Sequence, residues 1–142
     1  MELAPIVHEY RFAVSPSLAF DIFTGKMGEW WPASYTRNAG TFAGVTVEPF
    51  VGGRIVARHS DGSDHEWGRI TAWEPGLLLR YQSTLAQPDT SPSEITVHFH
   101  ATGVGSRVRF EHGGWNPVNA AFRNKFEDWP LILKGFEQMA AV

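Results

Sequence analysis

The sequence predicts an α+β domain of order β-αα-β6-α, a curved antiparallel seven-stranded sheet around a long C-terminal helix. Three observations carry this. Short runs over most of the chain alternate apolar and polar side chains, the pattern of strands buried on one face. Reversal signals at Gly52-Gly53, Asp61-Gly62 and Gly103/Gly105 separate consecutive runs closely enough for antiparallel neighbours. Near the C-terminus the period changes. Phe122, Phe126, Trp129, Leu133, Phe136 and Ala140 recur at steps of three and four, one wide helical stripe that can cover a sheet.

Taken in order, Ile6 to Val14 alternates as a strand, with Ile6, His8, Tyr10, Phe12 and Val14 on one face. Ser15-Pro16 reads as an N-cap followed by proline in the first turn, Leu18, Ala19, Ile22 and Phe23 form a short apolar stripe, and Gly25 ends the helix. Trp30-Trp31 sit on a second short helix or turn that stops at Pro32. Strands follow over Phe42 to Val51, with an irregularity at Gly44, over Arg54 to His59, over Trp67 to Trp73 and over Leu77 to Ser83. The polar loop Ala86 to Pro92 shows no sign of being a domain linker. Glu94 to His100 sends Ile95, Val97 and Phe99 to the core, and Ser106 to His112 sends Val108, Phe110 and His112 there. The closing helix runs from about Pro117 to Ala140, and Pro130 should kink it.

A chain of 142 residues fits one domain, 1–142, able to bury roughly two-thirds of its unfolded surface. A net charge of −3 without basic blocks offers nucleic acid no footprint. The absence of cysteine removes disulfides, thiolate metal sites and cysteine nucleophiles, and suits a reducing compartment. MELAPIVHEY lacks a basic head and apolar run, and no stretch approaches the roughly twenty apolar residues of a membrane span. The expectation is a soluble cytoplasmic domain without a cofactor, with homodimer formation left open.

Glu48-Pro49, Gly52-Gly53-Arg54, Asp61-Gly62, Trp67-Gly68-Arg69 and Trp73-Glu74-Pro75, in this order, resemble the Hsp90-ATPase-activator-homologue-like branch of the SRPBCC (START/Bet v 1-like) superfamily. Phe20-Asp21-Ile22-Phe23-Thr24, Trp30-Trp31-Pro32, Ser93-Glu94-Ile95 and Trp129-Pro130-Leu131-Ile132-Leu133 extend the resemblance to nearly the whole chain. It implies the helix-grip fold, in which short helices hold sheet and long helix apart and leave a cavity. Many relatives carry an acidic residue where Ala57 stands, so Gly53-Arg54-Ile55-Val56-Ala57 departs from the pattern. That departure removes an inward carboxylate and counts against acid–base catalysis by a carboxylate–histidine pair.

The expected wall of the cavity is Trp30, Trp31, Ile55, Trp67, Tyr81, Phe99, Phe110, Phe126, Trp129 and Leu133, whose bulk suits an apolar or aromatic ligand in a space of roughly 300–1,000 Å³. The same side chains can equally fill the interior and bind nothing. By alternation His112, Tyr81 and, with Ile55, His59 point inward and would orient a ligand, since a pocket histidine can donate, accept or take a proton near neutral pH. For His112 the plainer alternative is a hydrogen bond to a backbone carbonyl at a strand end. Arg54 and Arg69 read as partners of Glu48 and Glu66. His98 and His100 share the outer face at a chelating spacing that lacks a third ligand. His59, Asp61, Asp64, His65 and Glu66 look metal-like in composition but surround an Asp-Gly turn without calcium-loop spacing. Three readings stand: a domain binding a small apolar or aromatic molecule, a cyclase- or hydratase-like enzyme using His112 and Tyr81, and a protein-interaction module of the chaperone-activator kind.

Overall fold

The first alternating run forms strand β1 (Ile6–Phe12), and its partner is the last strand of the sheet. The others are β2 (Phe42–Val47), β3 (Arg54–His59), β4 (Asp64–Glu74), β5 (Leu78–Ser83), β6 (Ser93–Thr102) and β7 (Gly105–Gly113). All neighbours are antiparallel in the order β1-β7-β6-β5-β4-β3-β2, and the sheet curls as a half-barrel. These features come from a computed structural model that describes residues 3–141.

Side-chain alternation sets the two faces. Ile55, Ala57 and His59 of β3, Leu79, Tyr81 and Ser83 of β5, Ile95, Val97 and Phe99 of β6 and Val108, Phe110 and His112 of β7 are all buried on the inside. Strand β2 stops at Val47, short of the expected Val51, because Glu48 to Gly53 is the turn. Gly52 takes φ +89°, and a Cβ on Gly53 would stand 2.6 Å from the Glu48 carbonyl oxygen, so glycine is required at both. On β4, Glu66 pairs with Val56 and Gly68 with Ile55, which leaves Trp67 as the extra residue of a β-bulge. The bulge turns its indole inward.

Helix α1 (Pro16–Gly25) starts as its cap predicts, the Leu18 amide donating to Ser15 Oγ at 3.1 Å. Ala19, Phe20, Ile22 and Phe23 are buried, whereas Leu18, expected in the stripe, is exposed. Helix α2 (Met27–Trp30) follows, and Trp30 Nε1 donates to the Ile22 and Phe23 carbonyls at 3.2 and 3.1 Å, the Ile22 carbonyl also accepting from the Lys26 amide at 3.2 Å.

The expected continuous helix from Pro117 to Ala140 is corrected. The segment consists of a 3-10 stretch (Ala120–Phe126), α3 (Trp129–Ile132) and α4 (Lys134–Ala140). Pro130 lacks the N–H that would bond the Phe126 carbonyl, and its ring would crowd that oxygen, so it opens a new helix in the first turn of α3 instead of kinking an old one. The apolar stripe survives the breaks. Phe126, Trp129, Leu133, Phe136 and Ala140 are buried and Phe122 half-buried. Helix α4 lies against α1 and α2, with a Cβ on Gly135 only 2.3 Å from the Trp30 carbonyl oxygen, a closeness of backbones that glycine alone permits.

Candidate site beside Trp67

Rings bridge the sheet and the C-terminal segment. Phe12 meets Phe136 at 5.5 Å between centroids, Phe110 meets Trp129 at 4.6 Å, and His112 meets Phe126 at 4.4 Å. Trp31 links Trp67 at 4.4 Å to Trp129 at 5.8 Å. Trp30, Trp31, Ile55, Tyr81, Phe99, Phe110, His112, Phe126, Trp129 and Leu133, all expected to line a cavity, are buried, and the rings of Trp30, Trp31, Phe110, His112, Phe126 and Trp129 form one chain of contacts.

His112 is held at both nitrogens. Trp129 Nε1 stands 3.0 Å from its Nδ1, and an indole N–H can only donate, so Nδ1 accepts. The proton is therefore on Nε2, which donates to Ser93 Oγ at 2.6 Å, and the Ser93 hydroxyl donates onward to Gln87 Oε1 at 2.8 Å. This replaces the strand-end carbonyl considered from the sequence. Burial, and to a smaller extent the nearby Arg123 charge, pushes the His112 imidazole down to about 3. Tyr81 shares its cross-strand row through Ile95, which pairs with both. Two strand spacings, about 9–10 Å of backbone, separate the two residues, and no hydrogen bond joins them, since the His112 nitrogens are taken by Ser93 and Trp129. Burial raises the Tyr81 hydroxyl above the usual tyrosine range.

Open space lies to one side of this core, at the end of the sheet where the β3–β4 turn, the 3-10 turn Ala33–Tyr35 and the β5–β6 loop meet. A pocket of about 590 Å³ is lined by Tyr35, Thr36, Arg37, Asp64, His65, Glu66, Trp67, Thr84, Leu85 and Ala86. A second, of about 310 Å³, is lined by Arg37, Asn38, Thr41, His59, Asp61, Ser63 and His65. Arg37 and His65 belong to both. Of the expected wall residues, Trp67 borders the larger space and His59 the smaller.

The rim is tied down locally. Trp31 Nε1 donates to the Tyr35 carbonyl at 3.2 Å, and the Tyr35 hydroxyl donates to Asp128 Oδ2 at 2.8 Å, a bond that holds the hydroxyl proton more tightly than usual. Thr84 N and Oγ1 donate to the Trp67 and Glu66 carbonyls at 2.9 and 3.2 Å. Ala86 takes φ +57°, a left-handed conformation, and its carbonyl accepts from Lys125 Nζ at 3.0 Å. Sequence reasoning missed Tyr35, Thr36, Arg37 and the 84–86 loop because loops have no periodicity. A tyrosine alone in a polar loop directly after two tryptophans was the available signal.

The remaining candidates lie elsewhere. Arg54 pairs with Glu48 at 3.4 Å and Arg69 with Glu66 at 3.0 Å, both at the surface. His98 and His100 stack at 5.9 Å on the outer face. His59 and His65 meet edge to face at 5.1 Å on the inner side of the Asp61-Gly62 turn. Among the described residues no three histidine, aspartate or glutamate side chains converge as a metal site, and no helix is long and apolar enough to cross a membrane. The larger pocket therefore offers an indole wall with Tyr35 and Leu85 beside it, and a polar rim that carries both signs of charge. That combination suits a flat aromatic molecule with polar substituents.

The model of the family described as activator of Hsp90 ATPase homolog 1-like protein matches residues 13–141. No curated protein matches the chain. Among solved structures, an anthrahydroquino-gamma-pyrone synthase solved as a complex is 30% identical, with 96% of this chain and 97% of that chain covered and a TM-score of 0.62. Protein MLL2253 from Mesorhizobium loti is 22% identical over 96% of both chains, at a TM-score of 0.69. The Aha1 dimer from Colwellia psychrerythraea is 18% identical, covering 98% and 97%, at a TM-score of 0.70. The last two speak for the fold alone.

Proposed function

Because the chain belongs to the activator of Hsp90 ATPase homolog 1-like family, a family of SRPBCC type, we propose that it binds a small planar aromatic molecule in the pocket beside Trp67. The observation that carries this reading is the pocket of about 590 Å³ walled by the Trp67 indole, which is itself backed by Trp31 at 4.4 Å. Trp67, rigid and 6% exposed, offers an apolar wall at little entropic cost, and the Thr36, Arg37, His65 and Thr84 rim supplies hydrogen bonds to ring substituents. The expected occupant is an apolar or aromatic molecule, and its place is the mouth of the interior, not a void between sheet and C-terminal segment. The 30% identical relative, named for an anthrahydroquinone-type product, supports a fused-ring ligand.

The test combines thermal unfolding with quenching of tryptophan fluorescence over a panel of fused-ring aromatics. A ligand at a hundred times its Kd should add about 2.7 kcal/mol of stability, and Trp67→Leu should abolish most of the quenching while the domain stays folded. A panel that neither stabilises nor quenches the wild-type protein defeats the reading.

A second reading, a cyclase-like enzyme at the same place, is favoured by the same synthase relative. Here His59 and His65 next to the pockets, not His112 and Tyr81, are the side chains for proton transfer, because both His112 nitrogens are already engaged. Recovery of the added ligand unchanged after long incubation argues for binding alone, and its conversion argues for the enzyme. We further propose a cytoplasmic location, from the lack of cysteine, and a homodimer, from the dimeric relative. Fractionation and sedimentation check these two.

A further inference from the structure

We infer that the outer face of the sheet carries an anion site, in which Arg11, Arg107 and His100 bind a doubly charged phosphate group. The site shares no residue with the pocket beside Trp67 and does not depend on what that pocket binds.

Strand β7 sets Arg107 opposite Arg11 of β1 on one side and opposite His100 of β6 on the other. Residues directly opposite across antiparallel strands point to the same face, with Cβ atoms about 4.5–5.5 Å apart. Ser106 and Val108, the chain neighbours of Arg107, are buried on the inside, so this row lies on the outside. Two arginines at opposed positions repel each other unless an opposite charge joins them. Neither side chain has an ion pair or a hydrogen bond among the described residues. The other arginines of the sheet are provided for: Arg54, Arg69, Arg80 and Arg109 each pair with a glutamate, and Arg58 lies opposite Asp64. Glu9, two residues before Arg11, and Glu111 both hold Arg109, at 3.5 and 2.9 Å, and so leave Arg11 and Arg107 unmatched.

The row is open to a ligand. Arg11 and His100 are exposed, and His98 stacks on the His100 ring at 5.9 Å with the planes 9° apart. Arg107 is half-buried. Its Nε is covered, while Nη1 and Nη2, equally without partners, keep contact with solvent. A stem laid down on the sheet orders the guanidinium before anything binds, which lowers the entropic cost of binding. The count of donors and charges selects the anion. One guanidinium already satisfies a carboxylate, as Arg109 Nε and Nη2 do for Glu111 Oε1, both at 2.9 Å. Two free guanidiniums and an imidazole N–H match a group with two charges and three or more acceptor oxygens, the chemistry of a phosphate monoester. A metal cation would meet two fixed positive charges. Inorganic phosphate and the phosphate of a lipid headgroup present the same oxygens, and the test separates them.

The experiment follows the side-chain ¹⁵N signals of Arg11, Arg107 and His100 in the wild-type protein at pH 7.5 while sodium phosphate replaces sodium chloride at constant ionic strength. All three should move along one saturating curve, a measurement that needs no variant to fold. Arg11→Gln and Arg107→Gln should each weaken phosphate binding about tenfold, the loss expected for one charge-assisted contact. Arg54→Gln changes the net charge equally and should leave the binding unchanged. A second arm sediments the protein with phosphatidylcholine vesicles that contain or lack phosphatidic acid. Saturable movement with inorganic phosphate supports the site with free phosphate as a sufficient ligand. Co-sedimentation with the phosphatidic acid vesicles alone, lost in Arg107→Gln and kept in Arg54→Gln, supports it with the phosphate on a lipid. Unmoved signals, together with vesicle binding that is absent or indifferent to Arg107→Gln, overturn the site. Phosphate binding that Arg54→Gln weakens as much as the other two variants overturns it as well, since the effect would then be one of overall charge.

Discussion

His112 is fully buried, accepts from Trp129 and donates to Ser93, so the fold is built around its neutral form. In an unfolded chain the imidazole takes up a proton near pH 6.5. In the folded protein it does so only at about 3. Between these values the unfolded state binds more protons than the folded one, so stability falls as pH falls, starting near 6.5 and levelling off only near 3. For one group shifted this far, lowering the pH from 7.5 to 4 should remove roughly 3 kcal/mol of unfolding free energy. Burial also lowers His8 and His98, and lowered carboxylates such as Glu48 and Asp61 add losses of the same sign at acid pH, so the contribution of His112 must be isolated by difference. His112→Gln does this, because a glutamine amide can still donate to Ser93 and does not titrate. Urea unfolding followed by tryptophan fluorescence at a series of pH values should show the variant less stable than wild type at pH 7.5. The gap should then narrow by roughly 3 kcal/mol as the pH approaches 4. Parallel profiles for the two proteins would refute the reasoning, since a titrating residue cannot be removed without changing the slope it causes.

Two further outcomes follow from backbone geometry. A Cβ at position 135 would stand 2.3 Å from the Trp30 carbonyl oxygen, a backbone atom that cannot swing away. Gly135→Ala should therefore force α4 off α2 and cost about 3 kcal/mol, at the upper end for overpacking, and unchanged chemical denaturation would contradict the close packing. Ala86, at φ +57°, carries the reverse expectation. Ala86→Gly relieves a left-handed alanine and should be neutral or stabilising by up to about 1 kcal/mol in thermal unfolding, and a clear loss of stability would show that the methyl group matters more than the conformation.

The architecture was legible because burial in a sheet follows from alternation alone. Ile95, Val97 and Phe99 on β6 and Val108, Phe110 and His112 on β7 face inward as their positions require. The C-terminal stripe shows where that logic stops. Phe126, Trp129, Leu133 and Phe136 are buried as their spacing predicted, yet the backbone breaks around Pro130, because a helix broken into pieces in the same direction still presents one apolar side. The site was less legible. Identity and spacing mark Trp31, Phe110 and Trp129 as interior but cannot say whether they meet or enclose space. That depends on how closely the layers approach, set in part by Gly135 against Trp30. His59 was found since it ends the inward-facing run of β3, and Trp67 for its bulk, although a bulge within β4 and not alternation turns it inward. Arg37, Thr84 and Ala86 were not, because the loops that carry them are placed by single hydrogen bonds, such as Lys125 to the Ala86 carbonyl, between residues far apart in sequence.

The pairing of β1 with β7, Ile6 opposite His112, also governs how the polypeptide is made. A chain emerging from the ribosome presents its first strand long before β7, its sheet partner, exists, while β2 through β6 can zip together as each hairpin appears. Closing so large a loop should be the late, slow event of folding. Until then the nascent domain exposes an unpaired β-edge and half of an aromatic interior, the kind of surface on which aggregation starts.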